Sequence, residues 1–228
     1  CCIKPQKMSW NNNQPFSIPQ IRFIPEKMKP WLLILFILVF NCTGGVYLAA
    51  VSDMVGSTQL LQEDIMMAGY ASLVGMALFF AIMFRLKWAI RPKTTLGSCI
   101  LVLLAANVIC MHTGSVPVLV GVSLVAGFFR MWAIYECNST IQLWITPKRD
   151  MSIWFCYIYL MVNGTIQLTG IAALSLSVWA SWHYMHWLII GALLVMYLIV
   201  IICYKGISIM PRLPLLGIDW VGMLLWGA

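Results

Sequence analysis

Long apolar runs broken by short polar stretches set the rhythm of this chain. The runs cover residues 31 to 52, 65 to 84, 94 to 112, 116 to 140, 152 to 178 and 187 to 204, and another begins near Trp220. A helix needs roughly 20 apolar residues to cross the hydrocarbon core of a bilayer, so the pattern predicts six transmembrane helices and the start of a seventh. The fifth run exceeds what a crossing requires, and its outer end is expected to leave the bilayer between Trp179 and His183. The predicted fold class is all-α and membrane-integral, with a six-helix bundle over residues 30–204, a tail over 1–29, a linker over 205–219 and the start of a further helix over 220–228. The tail has three consecutive asparagines and several prolines without a helical period, which predicts irregular chain. It also lacks the compact basic-then-apolar layout of a signal peptide. The chain opens on Cys1, not methionine, and closes on Ala228 inside an apolar run, so both ends are expected to be cuts in a longer protein.

Composition supports the membrane reading: 62% of the residues are hydrophobic and 9% are charged, against about 25% charged in a soluble domain. The net charge of +7 would suit a nucleic-acid ligand if it were gathered on one surface. Position argues otherwise. Lys4, Lys7, Arg22, Lys27 and Lys29 precede the first run, and Arg85, Lys87, Arg91 and Lys93 join the second to the third. Lys148 and Arg149 join the fourth to the fifth, and Lys205 and Arg212 follow the sixth. With helices alternating in direction, every one of these lies on the same side. The other connections hold no lysine or arginine, although the first carries Asp53, Glu63 and Asp64. The positive-inside rule then places the N-terminus in the cytoplasm and the chain in the cell membrane. The basic excess is topological, and no nucleic-acid partner is expected.

Cys42, Cys99, Cys110, Cys137, Cys156 and Cys203 fall inside apolar runs with no CxxC pair, which predicts small core residues. The Asn-x-Thr triplets at Asn41, Asn138 and Asn163 lie inside runs too, out of reach of glycosylation.

One basic residue, Arg130, stands about halfway through the fourth run, with Glu136 six residues on. Arginine at the bilayer centre costs at least about 2.5 kcal/mol, so it is kept where it faces protein or water and does a job. Six residues at about 100° each leave the two charges about 120° apart around the helix and about 9 Å apart along it. They cannot pair with each other, so each needs a partner elsewhere, and Glu136, nearer the cytoplasmic end, is expected to reach solvent. Ser123, Gly127, Arg130 and Ile134 share one face of that helix, and Tyr159, Asn163, Gln167 and Gly170 form a polar stripe on the next. Asn41, Gly44 and Gly45 add polar and small positions on the first helix. Such stripes suit a bundle around a hydrated cavity, or interhelical hydrogen bonding with close small-residue packing of the kind Ala71 and Gly75 suggest. Trp31, Trp179, Trp182 and Trp187 fall near helix ends, as an aromatic belt requires, whereas Trp132 and Tyr135 flank the buried charges.

The chain resembles the N-terminal half of a major facilitator superfamily transporter of the fourteen-helix drug:proton antiporter branch. SVPVLVGVSLVAG, residues 115 to 127, is similar to that family's entry into helix 4 through Pro117, Leu119 and Gly127. SWHYMHWLIIG, residues 181 to 191, is similar to its entry into helix 6. LPLLGIDWVGMLLWG, residues 213 to 227, resembles its start of helix 7, with Asp219, Trp220 and Gly222 in the matching places. The likeness runs from about residue 30 to the end. Ser123 stands where the family has its helix 4 arginine, and no carboxylate stands near Cys42 or Thr43, where it has a helix 1 acid. The 2–3 loop signature survives only as basic residues, and the helix 5 glycine-proline signature only as Gly164 and Gly170.

The resemblance implies a transporter working by alternating access between two six-helix bundles. The expected function is export of a small organic or drug-like compound, with protons as the coupling ion, the lipid bilayer as surroundings, the missing C-terminal half as partner and no cofactor or metal. Arg130 would bind an anionic substrate group or tune a nearby carboxylate such as Glu136, while Asn163, Gln167, Asn41 and Tyr159 line the pathway. Arg85, Lys87, Arg91 and Lys93 would form a cytoplasmic gate. Two other classes stay open: a scaffold or sensor that no longer transports, and an integral membrane enzyme. The enzyme reading has only His112, His183 and His186 to draw on, without a repeated histidine cluster.

Overall fold

The computed structural model describes residues 21–25, 28–44, 61–144, 152–179, 183–206 and 221–222. Among them the chain forms six helices: α1 (Lys29–Cys42), α2 (Gln62–Ala89), α3 (Pro92–His112), α4 (Val116–Trp144), α5 (Ser152–Trp179) and α6 (His183–Cys203). Each sits on one of the six apolar runs. Four of them, α2, α3, α4 and α6, are long and apolar enough to cross a membrane. The outer part of the first run, the acidic Asp53, the linker beyond residue 206 and nearly all of the seventh run lie outside the described residues.

Local chemistry sets the boundaries further out than the apolar runs did. Glu63 and Asp64 occupy the first turn of α2, where carboxylates complement the helix dipole. The Asp64 carboxylate accepts from the Leu61 backbone N–H at 3.3 Å. At its other end α2 carries Lys87 in the last turn, again the favoured charge. The chain then turns through extended Ile90 and Arg91, and Pro92 opens α3, because proline has no N–H to lose in a first helical turn. The expected basic loop is thus mostly helix: Arg85 and Lys87 belong to α2, Arg91 is the N-cap of α3 and Lys93 lies in its first turn.

Contacts fix the directions. Gly97 lies near Tyr197 and Lys93 bonds to Ile201, while Asn107 meets His186, so α3 and α6 run antiparallel. On α2 and α4 the contacts climb together, from Gly75 against Leu124 to Lys87 against Glu136, so these two are parallel. One end of the bundle therefore gathers Lys87, Arg91, Lys93, Tyr204 and Lys205, and the other holds Glu63, Asp64 and His112.

Helix α4 packs against α1, α2 and α3; α3 also meets α6, and α1 meets α5 and α6. Exchanging α1 with α4, α2 with α5 and α3 with α6 maps each of these neighbour pairs onto another or onto itself. The pairs related in this way differ severalfold in extent, with α4 packing much more broadly on α2 and α3 than α1 does on α5 and α6.

The α2–α4 crossing is the closest. A Cβ on Gly75 would run into the Leu124 carbonyl, and one on Gly127 into the Ser72 backbone. Small residues let helix backbones approach in this way where lipid supplies no hydrophobic drive. Below the crossing, Phe79 meets Phe128 edge-on at 5.7 Å, stacks on Trp132 at 6.5 Å and touches Tyr135. Trp132 and Tyr135 are therefore parts of an aromatic core that also holds Phe36 and Phe40 from α1. Cys99, Cys110 and Cys137 are buried as expected, but Cys156 is exposed on α5.

Of the segment before α1, residues 21–25 are described, and they meet the end of α6. Ile21 pairs with Tyr204 in an antiparallel bridge, and the Arg22 N–H donates to the Cys203 carbonyl at 2.8 Å. Ile21 and Tyr204 are both buried by this contact, and burial pushes the Tyr204 phenol well above its ordinary range.

Candidate functional site

Arg130 is 8% exposed at the middle of α4. Its guanidinium lies over Gly44 at the end of α1, where a Cβ would collide with it. Nη2 donates to the Met76 thioether of α2 at 2.7 Å, a weak acceptor for a charged donor. Among the described residues no carboxylate pairs with it; the described carboxylate nearest in sequence, Glu136, is bound to Lys87.

The guanidinium borders a cavity of about 20 Å³ shared by four helices. Thr43 and Gly44 come from the chain just past α1, Ser72 from α2, Asn107 from α3, and Ser123 and Arg130 from α4. Such a volume admits one or two water-sized particles, and it is far below the 300 Å³ or so that a drug-sized ligand needs. The walls are rich in donors. Ser123 Oγ is buried with no hydrogen-bond partner, although a helical serine can usually bond back to its own helix. Asn107 donates to the Leu103 carbonyl at 2.8 Å with one of its two amide hydrogens, and its Oδ1 lies 3.3 Å from His186 Nδ1 on α6. Thr43 spends its hydroxyl hydrogen on the Phe40 carbonyl at 2.7 Å.

Glu136 does not reach solvent. Its carboxylate accepts from Lys87 Nζ at 3.0 Å, with the two side chains 3% and 11% exposed. Lys87 also donates to Ser139, and Thr140 donates to the Glu136 backbone carbonyl at 2.8 Å. Arg130 and Glu136 thus have separate partners, as the angle between them around the helix requires. Lys87 meets Glu136 because α2 continues past the end of the apolar run and carries Lys87 down to that level.

Of the other expected gate residues, Lys93 binds within the bundle, its Nζ donating to the Ile201 carbonyl at 2.8 Å near the end of α6, while Arg91 is exposed near Gly206. The side chain of Arg85 lies outside the described residues.

The polar stripes do not converge on one cavity. Asn41 is buried, but its amide donates to Ile37 of its own helix at 3.0 Å, and the cavity wall is made by Thr43 and Gly44 instead. Tyr159 is 74% exposed. Asn163 and Gln167 are exposed as well, and the Asn163 amide donates to the Tyr159 carbonyl at 3.1 Å. This stripe of α5 faces outward, away from Arg130. The sequence leaves Asn107 unmarked, a lone polar residue in the third apolar run, and marks His186 only as one of the three histidines open to an enzyme reading.

Comparison with known protein families, with curated proteins and with solved structures finds no match.

Proposed function

We propose that the chain forms the first six-helix bundle of a secondary transporter of the major facilitator type. It would export a small organic compound by alternating access, exchange it for protons, and hold its N-terminus in the cytoplasm of the cell. The observation that carries this reading is Arg130: a buried cation at mid-bundle, unmatched by a described carboxylate and facing a cavity shared by four helices. A bilayer protein keeps such a charge for ion or substrate handling.

Two features add support. The neighbour pattern that survives exchange of helices three apart suits a bundle built from two inverted three-helix repeats, as each half of these transporters is. The resemblance puts the family's helix 4 arginine at Ser123, and Ser123 and Arg130 border the same cavity from two turns apart. In this reading Arg130 supplies, from two turns further along the helix, the charge that the family carries at the position of Ser123.

The cavity is too small for the transported compound, so Arg130 acts there on a small ion or on a proton-carrying neighbour. The exposed Tyr159, Asn163 and Gln167 on α5 line the substrate route, on a face that the second bundle covers. Lys87, tied to Glu136, and Lys93, tied to α6, brace the cytoplasmic end instead of reaching across it.

The test uses the full-length protein in everted membrane vesicles with an imposed pH gradient. Lipophilic cations and anions from a broad panel should dissipate the gradient with wild type, and Arg130→Ala should abolish the response. A folded wild-type protein that responds to no compound would overturn proton exchange, and an unaffected Arg130→Ala would remove Arg130 from it.

A further inference from the structure

The cavity beside Arg130 is lined by hydrogen-bond donors on several side chains. The guanidinium carries five N–H groups, and Nη2 donates to the Met76 thioether. Ser123 Oγ, on a residue 2% exposed, has a donor with no acceptor. Asn107 keeps a second amide hydrogen after bonding Leu103, and its oxygen is already engaged by His186. An isolated charge in a low-dielectric interior costs far more than an unmet neutral group. A water molecule would answer the geometry but not the charge.

We propose that this cavity is a binding site for a small monovalent inorganic anion of chloride size, held by the Arg130 guanidinium, the Ser123 hydroxyl and the Asn107 amide. Volume sets the upper limit: about 20 Å³ accepts a particle close to water in size and excludes sulfate, gluconate and drug-like anions. Charge sets the sign. The donor set sets the class, since donors converge from α3 and α4 while Thr43 has committed its hydroxyl hydrogen elsewhere. Held there, the anion neutralises Arg130 and ties α4 to α3. Binding is read without any transport, so it stands or falls apart from the transporter reading.

The experiment measures the unfolding midpoint of the purified full-length protein in detergent, at fixed ionic strength, as chloride or bromide replaces gluconate. Wild type should show a saturable rise with either halide. Ser123→Ala should fold and bind bromide about tenfold more weakly, the loss of one hydrogen bond to a charged group. Arg130→Gln should lose the halide response entirely, and Arg130→Lys should keep part of it. Crystals grown in bromide should show an anomalous peak between Arg130 and Ser123. Any of four results would overturn the proposal: no halide-dependent rise in wild type, an equal rise with sulfate, an undiminished response in Ser123→Ala, or a response to formate and acetate with none to halides. The last would assign the counter-charge to an organic carboxylate.

Discussion

Lys87 near the end of α2 and Glu136 in the lower part of α4 form an ion pair at 3.0 Å whose side chains are 11% and 3% exposed. It joins the two parallel helices at one end, as Gly75 and Gly127 join them higher up. Removing one partner of a buried pair strands the other in the interior. Lys87→Met or Glu136→Gln alone should lower unfolding stability by about 3 kcal/mol, and the double substitution should cost less than the sum. Denaturant unfolding in detergent through a double-mutant cycle measures the coupling, and additive costs would mean that the pair does not form.

The glycines separate two kinds of close approach. At Gly75 and Gly127 an added Cβ meets backbone of the facing helix, which cannot yield without moving the helix. Alanine at either position should destabilise by about 1 to 3 kcal/mol, as overpacking does. At Gly44 the added carbon meets only the far end of the Arg130 side chain. Gly44→Ala should therefore fold with a near-native unfolding midpoint while displacing the guanidinium and weakening the halide response.

The α5 stripe gives a prediction of the opposite kind. Asn163 and Gln167 are exposed and hold no other described helix in place. Asn163→Leu and Gln167→Leu should leave unfolding stability within about 0.5 kcal/mol of wild type. If they line the substrate route as proposed, the KM for transport should rise severalfold in the same variants. A large stability loss with unchanged KM would make them packing residues instead.

Topology can be read by labelling. Gly114, in the turn between α3 and α4, and Lys205, just past α6, are both exposed and belong to opposite ends of the bundle. With a membrane-impermeant maleimide, Lys205→Cys should react in everted vesicles and Gly114→Cys in intact cells, each against the wild-type background. Labelling of both from the same side would rule out the arrangement.

The apolar runs and their spacing were enough to read the six helices found among the described residues and to expect the basic residues on one side, because hydrocarbon demands long apolar helices and the count of crossings dictates sides. Helical geometry was also enough to separate Arg130 from Glu136. The same geometry placed Ser123, Gly127 and Arg130 on one face, where the fold uses Gly127 for the α2 crossing and the other two for the cavity. Which neighbour each face meets was decided only in three dimensions. The partnership of Glu136 with Lys87, the meeting of Asn107 with His186, the cavity that Asn107 shares with Arg130, and the outward turn of Tyr159, Asn163 and Gln167 all depend on how helices rotate against one another. Lipid is as apolar as a core of leucine and phenylalanine. A helix in that setting carries no hydrophobic stripe to point inward, so its sequence fixes that it crosses while packing against its neighbours fixes which way it faces.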